Sequence, residues 1–132
     1  MRNSVLGPTA LIAGLCALPV AASAESYICA ITEVYECVDV KGCEEVSTDT
    51  INLAELMVLD TDKKTLTGTS LNETAQSEEI EGLHVTDKHI FLHGHQDEES
   101  WNTTISLENG ALAGGIASGA SSFALFGHCT KK

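Results

Sequence analysis

Four cysteines constrain the fold of this chain more than any other feature. Cys29 lies in the first strand-like segment, and Cys129 lies close to the end of the 132-residue sequence. Cys37 and Cys43 follow soon after the first of them. In an exported chain, four such cysteines indicate two disulfides. A bridge between the first and last strands would close the fold on itself.

Four cysteines allow three pairings, and the sequence alone does not choose among them. We favour Cys37–Cys43, which would close a tight loop around residues 41–42, together with Cys29–Cys129, which would join the end strands. The alternative is a metal site built from the four thiolates. The spacings lack the paired Cys-x-x-Cys motifs of zinc modules, so disulfides are favoured.

The case for export rests on residues 1–24, which have the pattern of a secretory signal peptide. Arg2 supplies a short basic start, residues 5–20 an apolar run, and residues 22–24 the small-residue cleavage pattern. We predict cleavage before Glu25 and a periplasmic or secreted mature protein.

Two membrane attachments compete with this interpretation of the N-terminus. A lipoprotein anchor at Cys16 is disfavoured, because Leu15 precedes it where a small residue is required. The apolar run is too short and too interrupted for a membrane span, so we expect no membrane insertion after cleavage. The mature chain, residues 25–132, is then predicted to be a single disulfide-stapled domain.

Charge restricts the partners of this domain. The whole chain has seven basic and 19 acidic residues, a formal charge of −12. Loss of Arg2, the only arginine, leaves six lysines against the same acids (6 − 19 = −13). Such a surface repels phosphate backbones and anionic membranes, which excludes nucleic acid as a partner and favours cationic ones.

Alternating hydrophobicity predicts strands throughout the mature chain. In the clearest example, residues 101–107, Trp101 and Ile105 belong to an apolar set that alternates with polar residues. Asn109-Gly110 follows, the preferred pair for a tight hairpin turn. Gly114 and Gly115 indicate a bulge or a close crossing of strands.

These patterns predict an all-β fold with about eight strands and no amphipathic helix of ten residues. Residues 37–50 and 96–100 are predicted to be loops, and residues 52–59 fit either a helical turn or a strand. A small antiparallel meander, closing into a barrel or a sandwich, is the simplest topology.

The one segment that suggests chemistry is a histidine-rich strand. Side chains alternate along a strand, so one face should carry His89, Phe91, His93 and His95, and the core face Ile90, Leu92 and Gly94. Three imidazoles on one face suggest a site for Zn²⁺ or Cu²⁺, with Asp97 or His84 as further ligands. The alternative is a solvated polar face without metal.

Catalytic motifs are missing from the sequence. His128 adjoins Cys129, but that cysteine is better explained as half of a disulfide. No Gly-x-Ser-x-Gly elbow or other nucleophile–base motif is present. A hydrolase with an unrecognised site is therefore a minor alternative, and no catalytic residue or bound cofactor is assigned.

Several short motifs of this sequence, taken together, carry a family resemblance. They are the signal peptide, Tyr27-x-Cys29, Cys37 and Cys43, Leu59-Asp60, Trp101 at the start of a late hairpin, and Phe126-Gly127-His128-Cys129. With them the chain resembles small exported proteins of proteobacteria without an assigned function. The resemblance implies a periplasmic or secreted β-domain and no catalytic residues. We therefore expect a non-catalytic binding module for an unknown protein or small ligand, with metal binding as the alternative.

Overall fold

A computed structural model describes residues 25–69 and 76–132. The predicted signal peptide lies outside the described residues. The all-β prediction is confirmed: the described residues contain ten strands, one short 3₁₀ helix and no α-helix. The strands are β1 (Ser26–Val38), β2 (Gly42–Val46), β3 (Leu56–Asp60), β4 (Thr65–Thr69), β5 (Gln76–Glu79), β6 (Gly82–Val85), β7 (His89–Gln96), β8 (Glu99–Ser106), β9 (Ala111–Ser118) and β10 (Ser121–Lys131), and the 3₁₀ helix is Thr48–Ile51.

All ten strands belong to one antiparallel sheet, in which β1 pairs with three other strands. Nine of them follow the order β5-β4-β3-β1-β10-β9-β8-β7-β6, and β2 pairs with β1 off this path. One edge of β1 pairs with β10, and the other edge pairs first with β3 and then with β2. The first and last strands are therefore neighbours, and the strands from β6 to β10 form the expected meander.

Two disulfides lie between directly opposed residues of this sheet. Cys29 faces Cys129 across β1 and β10, and Cys37 faces Cys43 across β1 and β2. This pairing is the one favoured from the sequence. The first bridge is buried in the core, whereas Cys43 of the second is exposed.

The predicted closure into a barrel or a sandwich of about eight strands is not exact, because the ten described strands form one sheet that curls into an open half-barrel. Its two ends, β5 and β6, are joined only by Ile80 and Glu81 and do not pair. The Ile80 amide donates to Lys64 O beside β4, and the Glu81 amide donates to His93 O on β7. The chain thus crosses from one edge of the sheet to the other at this point instead of reversing in a hairpin.

The two predicted loops, at residues 37–50 and 96–100, are too long, because in each the chain reverses in a turn that is shorter than the polar stretch. Residues 37–50 include β2, because the Cys37–Cys43 bridge and the turn at Val40 (φ 66°) reverse the chain early. The stretch at residues 96–100 is a two-residue turn at Asp97, with φ 50°. Of the ambiguous segment at residues 52–59, the second half belongs to β3, which begins at Leu56, and the first half is irregular.

The glycine motifs also behave differently from expectation. Asn109-Gly110 ends a four-residue loop, in which Gly110 has φ 78° and its amide donates to Ser106 O. Gly114 is a close crossing, since a Cβ there would lie 2.6 Å from Asn102 O. The bulge of the sheet lies instead in β1, between Ile31 and Glu33.

Period-two alternation places the core on the concave face of the sheet. Leu59, Ile90 and Ile105 are fully enclosed there, together with Val34 and the Cys29–Cys129 bridge. These side chains come from both arms of the sheet, so their burial keeps the sheet curled. No helix in the described parts of the chain is long and apolar enough to span a bilayer.

Candidate functional site

The concave face holds a cavity of about 590 Å³ beside the core. Small-ligand sites typically have volumes of about 300–1,000 Å³, so this volume is in the usual range. Its walls come from the end of the 3₁₀ helix and the segment after it, from the turn between β7 and β8, and from seven strands. They are formed by Ile51, Asn52, Leu53, Ala54, Met57, Leu66, Gly68, Glu78, Gln96, Asp97, Glu98, Glu99, Trp101, Thr103, Ile116 and Leu125.

Apolar side chains form the floor of this cavity. Met57, Leu66, Trp101, Ile116 and Leu125 all occupy the inward positions of their strands and pack on the buried core. The floor is therefore held by the sheet and not by a flexible loop. A preformed apolar wall of this kind is typical of sites that bind the non-polar body of a small molecule.

Trp101 is the largest side chain in the cavity wall, and a glycine makes its position possible. It lies across from Gly94 on β7, where an added Cβ would be 2.6 Å from the indole ring. Within the described residues, Trp101 Nε1 is buried and has no hydrogen-bond partner. Sequence periodicity identified Trp101 as half-buried but gave no indication of a cavity beside it.

Acidic groups form one side of the cavity. Glu78 comes from β5, Glu99 begins β8, and Asp97 and Glu98 form the turn between β7 and β8. Burial, and then the negative charge of Glu99, raise the pKa of the Glu78 carboxyl. Among the residues that the structure describes, the lining contains no lysine, arginine or histidine. The cavity therefore combines an apolar floor with a negatively charged margin.

The histidine-rich strand has the expected alternation. Ile90 and Leu92 are buried, while Phe91, His93 and His95 are exposed on the convex side. Exposure of these side chains follows directly from the inward position of their neighbours. The predicted metal ligands thus lie on the opposite side of the sheet from the cavity.

Each histidine of this face has a local contact of its own. His89 and His84 lie against Phe91, with ring centroids 5.7 and 6.3 Å apart. His93 extends over Gly82, and His95 Nδ1 donates to Glu81 Oε1 at 2.7 Å. This hydrogen bond, with the charge of the same carboxylate, raises the pKa of His95.

The histidines do not form a metal centre in the part of the chain that the structure describes. No group of three or more His, Cys, Asp or Glu side chains is placed there to hold one ion. His89, His93 and His95 are directed instead to the separate contacts described above. Two imidazoles alone bind Zn²⁺ or Cu²⁺ weakly, because a stable site requires further ligands.

We expect the protein spanning residues 25–132 to bind Zn²⁺ and Cu²⁺ more weakly than micromolar, for lack of a third ligand. Calorimetric titration of this protein and of a His93→Ala, His95→Ala double variant measures this directly. Similar small heats in both proteins are the expected result. Micromolar or tighter binding that the double variant loses would contradict it and establish the histidine face as a metal site.

A second cavity, of about 520 Å³, lies at the opposite end of β8. Three of its polar groups are paired with one another: the Tyr27 hydroxyl donates to Glu25 Oε2 at 2.6 Å, and Lys131 Nζ binds Glu25 Oε1. Burial, and then the bond to Glu25, raise the pKa of Tyr27 to about 12. A ligand in this cavity would reach Glu25, Tyr27 and Lys131 only by displacing these contacts.

Comparisons with protein families, curated proteins and solved structures found no match to this chain. The resemblance to exported proteobacterial proteins therefore stays a prediction. The geometry of the concave cavity is the basis for a functional proposal.

Proposed function

We propose that this protein is an exported, non-catalytic binding module that holds a small ligand with an apolar body in its concave cavity. The observation that carries the proposal is the apolar floor around Trp101, Met57 and Leu66, preformed on the inward face of the sheet. Burial of a ligand against such a floor is favourable by about 25 cal/mol per Å² of apolar surface.

The composition of the cavity wall argues against a serine or cysteine hydrolase. Among the described residues that line it, none is Ser, Cys, His, Lys or Tyr. The nucleophile–base pair of a serine or cysteine hydrolase is therefore not assembled there. Two disulfides support a periplasmic or extracellular location, where thiols oxidise readily.

The chain contains one tryptophan, so Trp101 fluorescence reports on this cavity alone. We expect the neutral dye N-phenyl-1-naphthylamine to bind and to quench Trp101 by energy transfer. Ala54→Phe would place a ring in the cavity, and we expect it to weaken dye binding by about tenfold or more, a loss of about 1.4 kcal/mol. Fluorescence titration of the protein spanning residues 25–132 gives both values.

Ala117→Phe is the matched control, because Ala117 is exposed on β9 and does not line the cavity. It introduces the same ring elsewhere and should leave dye affinity unchanged. Equal affinity in the wild type and Ala54→Phe, or no quenching of Trp101 by any concentration of dye, would overturn the proposal.

A further inference from the structure

The charges around the concave cavity are all of one sign. Glu78, Asp97, Glu98 and Glu99 contribute four carboxyl groups, and no basic side chain of residues 25–69 and 76–132 lines the cavity. Glu78 is half-buried, lines the same cavity as the apolar floor, and feels the negative charge of Glu99. A carboxylate in this position loses hydration without gaining a counter-charge, which is unfavourable unless a cation is supplied.

The described chain does not supply that cation from elsewhere. Its ion pairs use Lys63 with Asp60, His95 with Glu81, and Lys131 with Glu25. Residues 70–75, which precede β5, contain no Lys, Arg or His in their sequence. A positive charge at Glu78 and Glu99 must therefore come from outside this part of the chain.

We propose that the ligand of the concave cavity is an amphiphilic cation, an apolar body that carries a protonated amine. This inference rests on the proposed function and specifies its ligand class. The apolar body packs on Met57, Leu66 and Trp101, while the ammonium group lies at the acidic margin, where it pairs with Glu78 and Glu99.

Three features of the cavity favour a cation over other head groups. An ammonium group offsets the cost of the half-buried Glu78 carboxylate, whereas a neutral group leaves that cost in place. An anionic head group is repelled by all four acids. Trp101 is also the side chain whose ring face attracts cations most strongly.

The test compares three probes with the same ten-carbon chain and different head groups, decylammonium, decyl maltoside and decyl sulfate, each below its micelle concentration. Trp101 fluorescence gives Kd for each with the protein spanning residues 25–132. We expect decylammonium to bind about tenfold tighter than decyl maltoside, because its ammonium group can donate a hydrogen bond to a charged carboxylate. Decyl sulfate should bind most weakly of the three.

A charge-neutralising variant tests the assigned residues. Glu78→Gln with Glu99→Gln should remove the preference for decylammonium and leave affinity for decyl maltoside within about twofold, because the apolar floor is intact. Glu44→Gln with Glu45→Gln is the matched control, since both residues are exposed on β2 and do not line the cavity. It makes the same change in net charge and should retain the preference.

The outcomes separate this inference from the proposed function. If decyl maltoside binds at Trp101 as tightly as decylammonium, or if the control variant loses the preference equally, the cation assignment is wrong while the binding role stands. If neither the probes nor the neutral dye affects Trp101, the proposed function fails, and the assignment fails with it.

Discussion

Replacing both Cys29 and Cys129 with alanine is expected to lower the free energy of unfolding by about 4–5 kcal/mol, more than removal of the other bridge. The two cysteines are 100 positions apart, so their bridge restricts nearly the whole unfolded chain. Its sulfur atoms also belong to the core, since Cys29 is 1% and Cys129 4% exposed. Urea unfolding followed by Trp101 fluorescence measures the loss.

The local bridge provides the control for this prediction. Cys37 and Cys43 are only six positions apart, and loss of their disulfide should cost roughly 2 kcal/mol. It joins β1 to β2, which lies off the main path of the sheet. If both double variants lose the same free energy of unfolding, restriction of the unfolded chain does not explain the contribution of the long bridge.

The same bridge explains why much of the fold follows from the sequence. The positions of Cys29 and Cys129 require the first and last strands to meet, and they meet in register. Alternation in residues 89–96 assigns Ile90 and Leu92 to the core, and this assignment is confirmed. Both inferences depend on local patterns, and a strand with one buried face has a strongly specified register.

The open sheet and the cavity depend on arrangements that local patterns do not encode. Whether β5 and β6 pair is determined by the two amides of Ile80 and Glu81, which bond to opposite edges of the sheet. The cavity wall combines residues as distant in sequence as Met57 and Leu125. Its volume depends on how far the sheet curls, a property of all the strands together.

Gly127→Ala is expected to lower the free energy of unfolding by about 3 kcal/mol, at the upper end of overpacking effects. Gly127 pairs with Ile31 beside the β1 bulge, where β10 runs against the backbone of β1. An alanine Cβ there would lie 2.1 Å from Ala30 O and 3.0 Å from Ala30 C. These are backbone atoms, so no side-chain rotation relieves the overlap and the two strands must separate.

Gly115→Ala is the matched control for this substitution. Gly115 is also a strand glycine, on β9, but its added Cβ would lie 3.5 Å from its nearest neighbour, an ordinary contact. Urea unfolding of both variants should therefore show a large loss for Gly127→Ala and a change within about 0.5 kcal/mol for Gly115→Ala. Similar stabilities would mean that β1 and β10 are not as close at the bulge as the structure places them.

Leu125 on β10 forms part of the cavity floor, so separation of β1 and β10 in Gly127→Ala should also weaken binding of the neutral dye. Dye binding should be unchanged in Gly115→Ala, where the strands stay together.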